Sequence, residues 1–271
     1  MSRAKAGTNA AFYLRGAAPR QKHRAEKTTP VDRARAACYR IGVLPQATQI
    51  LRRIGIIGDV HAEDETLEFA LDFLQTRVPD LDAIVCTGDI VTGPGDASRC
   101  CRLLREAGVQ TVRGNHDRWF FAAGYDRLPH FTPEEEVIGA DRLWLASLPP
   151  VLRLHTMHGP LLLCHGLGSD DMAGVLPHDQ GYALDANHRL HALVGAAEYR
   201  FVVNGHTHRR MVRTFDGLTI LNGGTLRSDH QPCICVADFE AGAARCYNLS
   251  DDTAEPRIQP AETVALPIAR A

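Results

Sequence analysis

Apolar residues along this chain come in short runs that stop abruptly. Ile54 to Ile57 leads into Gly58-Asp59-Val60-His61, Ala83 to Thr87 into Gly88-Asp89, and Val109 to Val112 into Arg113-Gly114-Asn115-His116-Asp117. Runs of this length, rich in Val and Ile and bounded by glycine, predict buried strands. Between them, Leu67, Ala70, Leu71 and Leu74 recur at helical spacing with Pro79 closing the element, and Cys100, Cys101, Leu104 and Ala107 mark a second helical face. Strand-then-helix units in succession predict a parallel layer with right-handed crossovers.

The pattern changes at Arg118. Trp119, Phe120 and Phe121 open a helical insertion over about 118–149, in which Thr132-Pro133-Glu134-Glu135 has the order of a capping box with Pro at the first helical position. Strands follow at Val151 to Thr156 and Leu161 to Cys164, around the turn His158-Gly159-Pro160, and the second runs into His165. Glycines and a proline predict a long loop over 166–185, and Leu190, Leu193, Val194 and Ala197 predict a helix after it. Arg200 to Asn204 then leads into Gly205-His206-Thr207-His208, a hairpin turns at Asp216-Gly217, and a last strand pair lies near 233–239 and 244–248. Residues 250–271 read as a polar, Pro-interrupted tail, and 53–249 as the folded domain.

Charge separates the first stretch from the rest. Residues 1–53 hold 12 of the 30 Lys and Arg but only two of the 32 acids, Glu26 and Asp32, which leaves 18 basic against 30 acidic residues downstream. The stretch 1–52 is therefore expected to be a disordered basic arm, with a short helix near Gln46 to Leu51 covering a sheet edge. Nucleic acid is a conceivable partner only through that arm, because the remainder is acidic. Eight cysteines (Cys38, Cys86, Cys100, Cys101, Cys164, Cys233, Cys235 and Cys246) lie mostly inside apolar runs without a C-x-x-C pair, which predicts reduced core thiols and a cytoplasmic protein. No run has the roughly 20 apolar residues of a membrane span, so no membrane partner is expected.

The candidate chemistry sits where the runs stop. Five predicted strands end in seven ligand-type residues: Asp59 and His61, Asp89, Asn115, His165, and His206 with His208. An extended chain would point Asp59 and His61 to one side and Val60 to the other. Taken singly, each is better explained as a turn residue or a satisfied core histidine; seven at five strand ends are not. Carboxylate and amide oxygens mixed with imidazoles suit Mn²⁺, with Fe, Zn²⁺ and Ni²⁺ as alternatives.

The ordered set Asp59-Val60-His61, Gly88-Asp89, Gly114-Asn115-His116-Asp117, His165 and Gly205-His206-Thr207-His208 resembles the signature of the calcineurin-like metallophosphoesterase superfamily over about residues 53–240. The resemblance implies an α/β fold, a four-layer α-β-β-α sandwich of two mixed sheets with a dimetal site at the carboxyl ends of the strands. It implies that Asp59, His61, Asp89 and His208 hold one divalent ion, that Asp89 bridges to a second held by Asn115, His165 and His206, and that His116 assists the leaving group. The implied reaction is hydrolysis of a small phosphorylated substrate, a phosphodiester or phosphomonoester, by in-line attack of a hydroxide shared between the ions. Asn222-Gly223-Gly224-Thr225 resembles a turn found in the small bacterial phosphodiesterases of that superfamily.

Departures from the pattern bear on the branch. Superfamily protein phosphatases follow the second Gly-Asp with Asp-Arg-Gly; here Ile90-Val91-Thr92 stands there, so the acid expected to orient His116 is replaced by Thr92. The serine/threonine phosphatase reading ranks below a diesterase and a nucleotide phosphatase, and a metal-binding scaffold without turnover is the non-enzyme alternative. Arg113 is a candidate contact for a substrate phosphate. His23, His130, His155, His158, His178, His188, His191 and His230 are expected to be structural or solvent-facing.

Overall fold

The protein is described here from a computed structural model, which covers residues 49–122, 124–250 and 257–268. The arm expected over 1–52 lies outside these residues up to position 48.

Twelve strands and six α-helices are present among the described residues. In chain order they are β1 (Ile50–Leu51), β2 (Arg53–Ile57), α1 (Asp64–Thr76), β3 (Ala83–Cys86), α2 (Ala97–Glu106), β4 (Gln110–Thr111), α3 (Asn115–Phe120), α4 (Gly139–Ser147), β5 (Val151–Thr156) and β6 (Gly159–Cys164). Then come α5 (Tyr182–Asp185), α6 (His188–Ala196), β7 (Phe201–Asn204), β8 (Met211–Phe215), β9 (Leu218–Asn222), β10 (Cys233–Asp238), β11 (Ala243–Ser250) and β12 (Arg257–Ala265). They build two six-stranded sheets, β12-β11-β10-β2-β3-β4 and β1-β5-β6-β7-β9-β8. Each sheet is mixed: β2, β3 and β4 run parallel while β10 pairs antiparallel to β2, and β6, β7 and β9 run parallel while β5 and β8 flank them antiparallel.

The period-2 alternation of strand side chains explains the layering. Ile54 and Ile56 of β2, Leu161 and Leu163 of β6, and Phe201 and Val203 of β7 pack together between the sheets. Their neighbours point the other way. Ile57, Ile84 and Cys86 meet Leu67, Leu71 and Leu74 of α1 and Leu104 of α2, whereas Leu162 and Val202 meet Leu190 of α6. Three apolar interfaces thus separate four layers, helix, sheet, sheet and helix, the α-β-β-α sandwich of the expectation. Ile54, Ile56 and Ile57 are fully buried, each contributing roughly 1.5–3 kcal/mol by removal from water. Among the described residues no helix is long and apolar enough to cross a membrane.

Four expectations fail, each for a tertiary reason. Ile50–Leu51, placed at the end of a covering helix, is a short strand parallel to β5. The polar tail of 250–271 supplies β12, which pairs antiparallel along the whole of β11. As an outer strand it carries Pro260 and alternates little, features that suit a sheet edge and disguise a strand in the sequence. The capping box at Thr132 starts no helix: residues 134–136 form a turn, α4 begins at Gly139, and the Thr132 hydroxyl instead accepts the Thr92 amide at 2.9 Å. Cys235 and Cys246 are register partners on β10 and β11 and are joined as a disulfide, which withdraws the argument from reduced thiols to a reducing compartment. Cys86, Cys100, Cys101, Cys164 and Cys233 are buried and free.

Candidate metal centre

The segments that leave β2, β3 and β4 come from one sheet and those that leave β6 and β7 from the other, so the seven ligand-type residues meet beyond the carboxyl ends of strands from both sheets. Strands alone do not aim them. His61, Asp89, His206 and His208 have φ of +50°, +48°, +66° and +56°, in the left-handed region that non-glycine residues seldom occupy. The extended Asp-x-His geometry is therefore corrected: the chain turns sharply at His61 instead of continuing as strand. Strain of this kind is concentrated where function over-determines the backbone.

Backbone contacts hold the turns. The amides of Val60 and His61 both donate to the Asp89 carbonyl, at 3.1 and 2.7 Å. Asp117 is fully buried, and its carboxylate accepts the amides of Gly114 (2.9 Å), Ile90 (2.7 Å) and Val91 (3.3 Å), tying the Asn115 segment to the Asp89 segment. Asn222 does the same for the last motif, donating from Nδ2 to the Gly205 carbonyl at 2.6 Å and accepting the Gly224 amide at 2.9 Å. Neither Asp117 nor Asn222 is among the residues that the strand-end motifs mark as ligands. Asp117 was legible as the third residue of a helix that starts inside the motif, at Asn115, and Asn222 only as the first residue of the Asn222-Gly223-Gly224-Thr225 turn.

In the cluster itself lone pairs face lone pairs. His61 Nδ1 donates to the Thr92 carbonyl at 2.9 Å and His165 Nδ1 to the Thr87 carbonyl at 2.8 Å, which leaves both Nε2 atoms as acceptors in the neutral rings. His61 Nε2 lies 3.0 Å from His208 Nε2 and 3.8 Å from Asp89 Oδ2. His208 Nε2 is 3.1 Å from Asp59 Oδ2. Asp59, His61, Asp89 and His208 each offer one ligand atom within 4.8 Å of the others. Beside them, His165 Nε2 sits 3.3 Å from Asp89 Oδ2 and 2.9 Å from Asn115 Oδ1, and His206 Nδ1 lies 3.0 Å from the same amide oxygen. Asp89 is common to both groups, with Oδ2 between His61 and His165 and Oδ1 accepting the His116 amide at 2.8 Å.

Buried acceptors packed against acceptors are unfavourable unless a cation lies among them. Asp59 Oδ2 makes the point most directly: it is buried and has no hydrogen-bond donor. The donor set and its orphaned oxygen fit divalent cations in two adjoining positions. Burial and the two carboxylates act in opposite directions on the His61 and His165 imidazoles, with a different outcome at each ring. Burial drives His61 down to about 4, against the pull of Asp89 and Asp59. For His165 burial also lowers the value, but Asp89 and Asp59 outweigh it and lift the imidazole to about 10.

His116 lies at the edge of the cluster, its ring between His61 and Trp119, each 5.0 Å away and edge-on. Its Nδ1 is buried without a partner, and burial holds its pKa below the usual range. Thr92 does not orient it; that hydroxyl bonds Tyr125 at 2.6 Å. Trp119 packs partly into the core, Phe120 is fully buried and Phe121 is 41% exposed. Arg118 ties α3 to the 166–185 loop through two bonds to Asp171, at 2.6 and 2.9 Å. Arg113 is not part of the network that joins the seven residues: its amide donates to the Pro149 carbonyl at 2.8 Å.

A family model described as the calcineurin-like phosphoesterase superfamily domain matches residues 53–242. An uncharacterised protein of Methanocaldococcus jannaschii is 32% identical over 121 residues, 41% of this chain and 48% of that protein. Serine/threonine-protein phosphatase 1 of Salmonella typhimurium is 25% identical over 135 residues, 42% of this chain and 58% of that protein. The chain thus spans about half the length of the curated relatives it matches. Among solved structures, a metallophosphoesterase from Sphaerobacter thermophilus shares the fold with a TM-score of 0.53 at 19% identity, covering 80% of this chain and 90% of that one.

Proposed function

The chain belongs to the calcineurin-like phosphoesterase superfamily, and from that premise we propose that it is a metal-dependent phosphoesterase that hydrolyses a small phosphodiester, with a phosphomonoester as the lesser substrate. Asp59, His61, Asp89 and His208 would hold one divalent ion, and Asp89, Asn115, His165 and His206 the other. Two such ions supply Lewis acidity toward phosphoryl oxygens and water acidified enough to attack phosphorus. The observation that carries the reading is the convergence of the His61, Asp89 and His208 ligand atoms on the undonated Asp59 Oδ2, with the Asn115 oxygen held between His165 and His206 beside them.

The remaining roles fall to protein side chains. His116 is assigned the hydrogen bond to the departing oxygen, steadied by the Trp119 face in place of a carboxylate partner. Asp117 and Asn222 fix the loops so that the ligands need not reorganise when substrate arrives. Arg118 of α3, and Arg210 and Arg227 in the loops after β7 and β9, already pair with Asp171, Glu262 and Asp229. Those three engaged guanidinium groups suit a singly charged diester better than a dianionic monoester. Mn²⁺ is the favoured ion on donor chemistry.

A steady-state assay tests the proposal: purified full-length chain with bis(p-nitrophenyl) phosphate and with p-nitrophenyl phosphate, each with and without Mn²⁺. Turnover that requires Mn²⁺ and is faster on the diester is expected. A protein that binds two ions and turns over neither ester would overturn this reading in favour of a metal-binding scaffold.

A further inference from the structure

We propose that His230 is a positioning residue of the metal centre: backed by Asp229, it accepts the Nδ1–H of His208 and fixes the tautomer and ring orientation with which His208 meets its ion. The inference rests on the assignment of His208 as a ligand. It revises the expectation that His230 is structural or solvent-facing, by giving it a role toward a metal ligand.

The other two deeply held imidazoles are oriented by backbone, His61 through the Thr92 carbonyl and His165 through the Thr87 carbonyl. His208 has a side chain in that place. Its Nδ1 lies 3.5 Å from His230 Nε2, and the two rings meet edge-to-face at 4.9 Å and 74°. On its far side His230 Nδ1 is 2.8 Å from Asp229 Oδ1, and Arg227 grips the same carboxylate from Nε at 2.8 Å and Nη2 at 2.5 Å. The direction of donation then follows from the chemistry. A carboxylate only accepts, so the neutral His230 ring carries its proton on Nδ1 and offers a lone pair at Nε2. His208 must donate to it from Nδ1, which leaves His208 Nε2 bare toward Asp59 Oδ2 at 3.1 Å.

The loop that brings His230 there is anchored to the first motif. Leu226 N and Thr225 Oγ1 both donate to the Asp59 carbonyl, at 2.8 and 2.9 Å. Ser228 donates from N and Oγ to Glu63 Oε1 at 2.8 and 2.9 Å, and His230 N closes the turn on the Arg227 carbonyl at 3.1 Å. A loop pinned at Asp59 and Glu63 thus holds the partner of His208 against the stretch of chain that supplies Asp59 and His61. Outer partners of this kind set ligand basicity and orientation, and their loss typically weakens metal binding about 10–100-fold.

The test is a Mn²⁺ titration of metal-stripped full-length protein, following free Mn²⁺ by its paramagnetic resonance signal. Wild type is expected to bind two ions. His230→Ala is expected to weaken one site about 10–100-fold and leave the other unchanged, with the thermal midpoint of the metal-free protein also unchanged. His230→Gln, whose amide oxygen accepts the same N–H, should recover most of the lost affinity; a general packing role would give no such recovery. Equal binding by wild type and His230→Ala, equal loss at both sites, or a glutamine variant as weak as the alanine variant would each overturn the proposal. Wild type that binds no Mn²⁺ would overturn the metal centre as well, so the two failures are distinguishable.

Discussion

Replacing Gly205 with alanine tests whether the site depends on backbone approaching a ligand. A Cβ at position 205 would lie 2.0 Å from Asp59 Oδ1 and 2.4 Å from Thr87 Oγ1, against 3.4–4 Å for ordinary contact. The Asp59 carboxylate would have to retreat by about 1.4 Å on these figures, and it is fully buried, with nowhere to relax cheaply. Oδ1 accepts from Thr87 Oγ1 and from the His206 amide, both at 3.1 Å, so retreat breaks two hydrogen bonds and carries Oδ2 away from His208. Overpacking costs about 1–3 kcal/mol of stability, and a ligand displaced by about 1 Å costs about 10²-fold in rate. Gly195→Ala is the matched control, since it lies in α6 with nothing within 4 Å of its added Cβ; it should stabilise by roughly 0.5–1 kcal/mol. The assay is kcat/KM on bis(p-nitrophenyl) phosphate at saturating Mn²⁺, with a circular dichroism melt of each variant. If Gly205→Ala stayed within about tenfold of wild type, or about 1.4 kcal/mol, the steric argument would be wrong.

Three further predictions concern single side chains. Asp89→Asn should cost about 10³-fold or more in kcat, more than any other single ligand change, because two ions would share its carboxylate; a larger loss for His206→Ala would show that Asp89 does not bridge. His116→Ala should slow esters with poor leaving groups by about 10²–10⁴-fold and aryl esters much less, and an equal effect across a series of leaving groups would remove His116 from that role. Asp82 Oδ2 accepts the amides of Arg52 and Arg53 at 2.7 and 3.0 Å; burial alone would raise its pKa, but those amides and the Arg52 guanidinium hold it below the ordinary 3.8. Such a depressed carboxyl contributes stability that is present above the unfolded value and lost as pH falls through the folded one. Asp82→Asn should therefore melt lower than wild type at pH 7, with the gap closing below pH 3.8, and a gap that persisted in acid would refute the assignment.

What the sequence by itself determined was the set of strand ends and the chemistry placed on them. A buried strand is written in a few consecutive side chains, so Ile54 to Ile57, Ala83 to Cys86 and Phe201 to Asn204 were readable without a partner, and so were Asp59, Asp89 and His206 beyond them. Only tertiary structure decided what depends on residues far apart in the chain. The turn at His61 with φ of +50° exists because the Asp89 carbonyl accepts its amide, and nothing within the Asp-x-His motif states that bond. The strand at Arg257–Ala265 and the bridge between Cys235 and Cys246 follow from register on β11, while Thr132 stays out of a helix because Thr92 claims its hydroxyl. His230 is the sharpest case. Its separation of 22 residues from His208 has no period to recognise, and its place beside the cluster comes from a loop fastened to Asp59 and Glu63 by hydrogen bonds that form only once the sheets have packed.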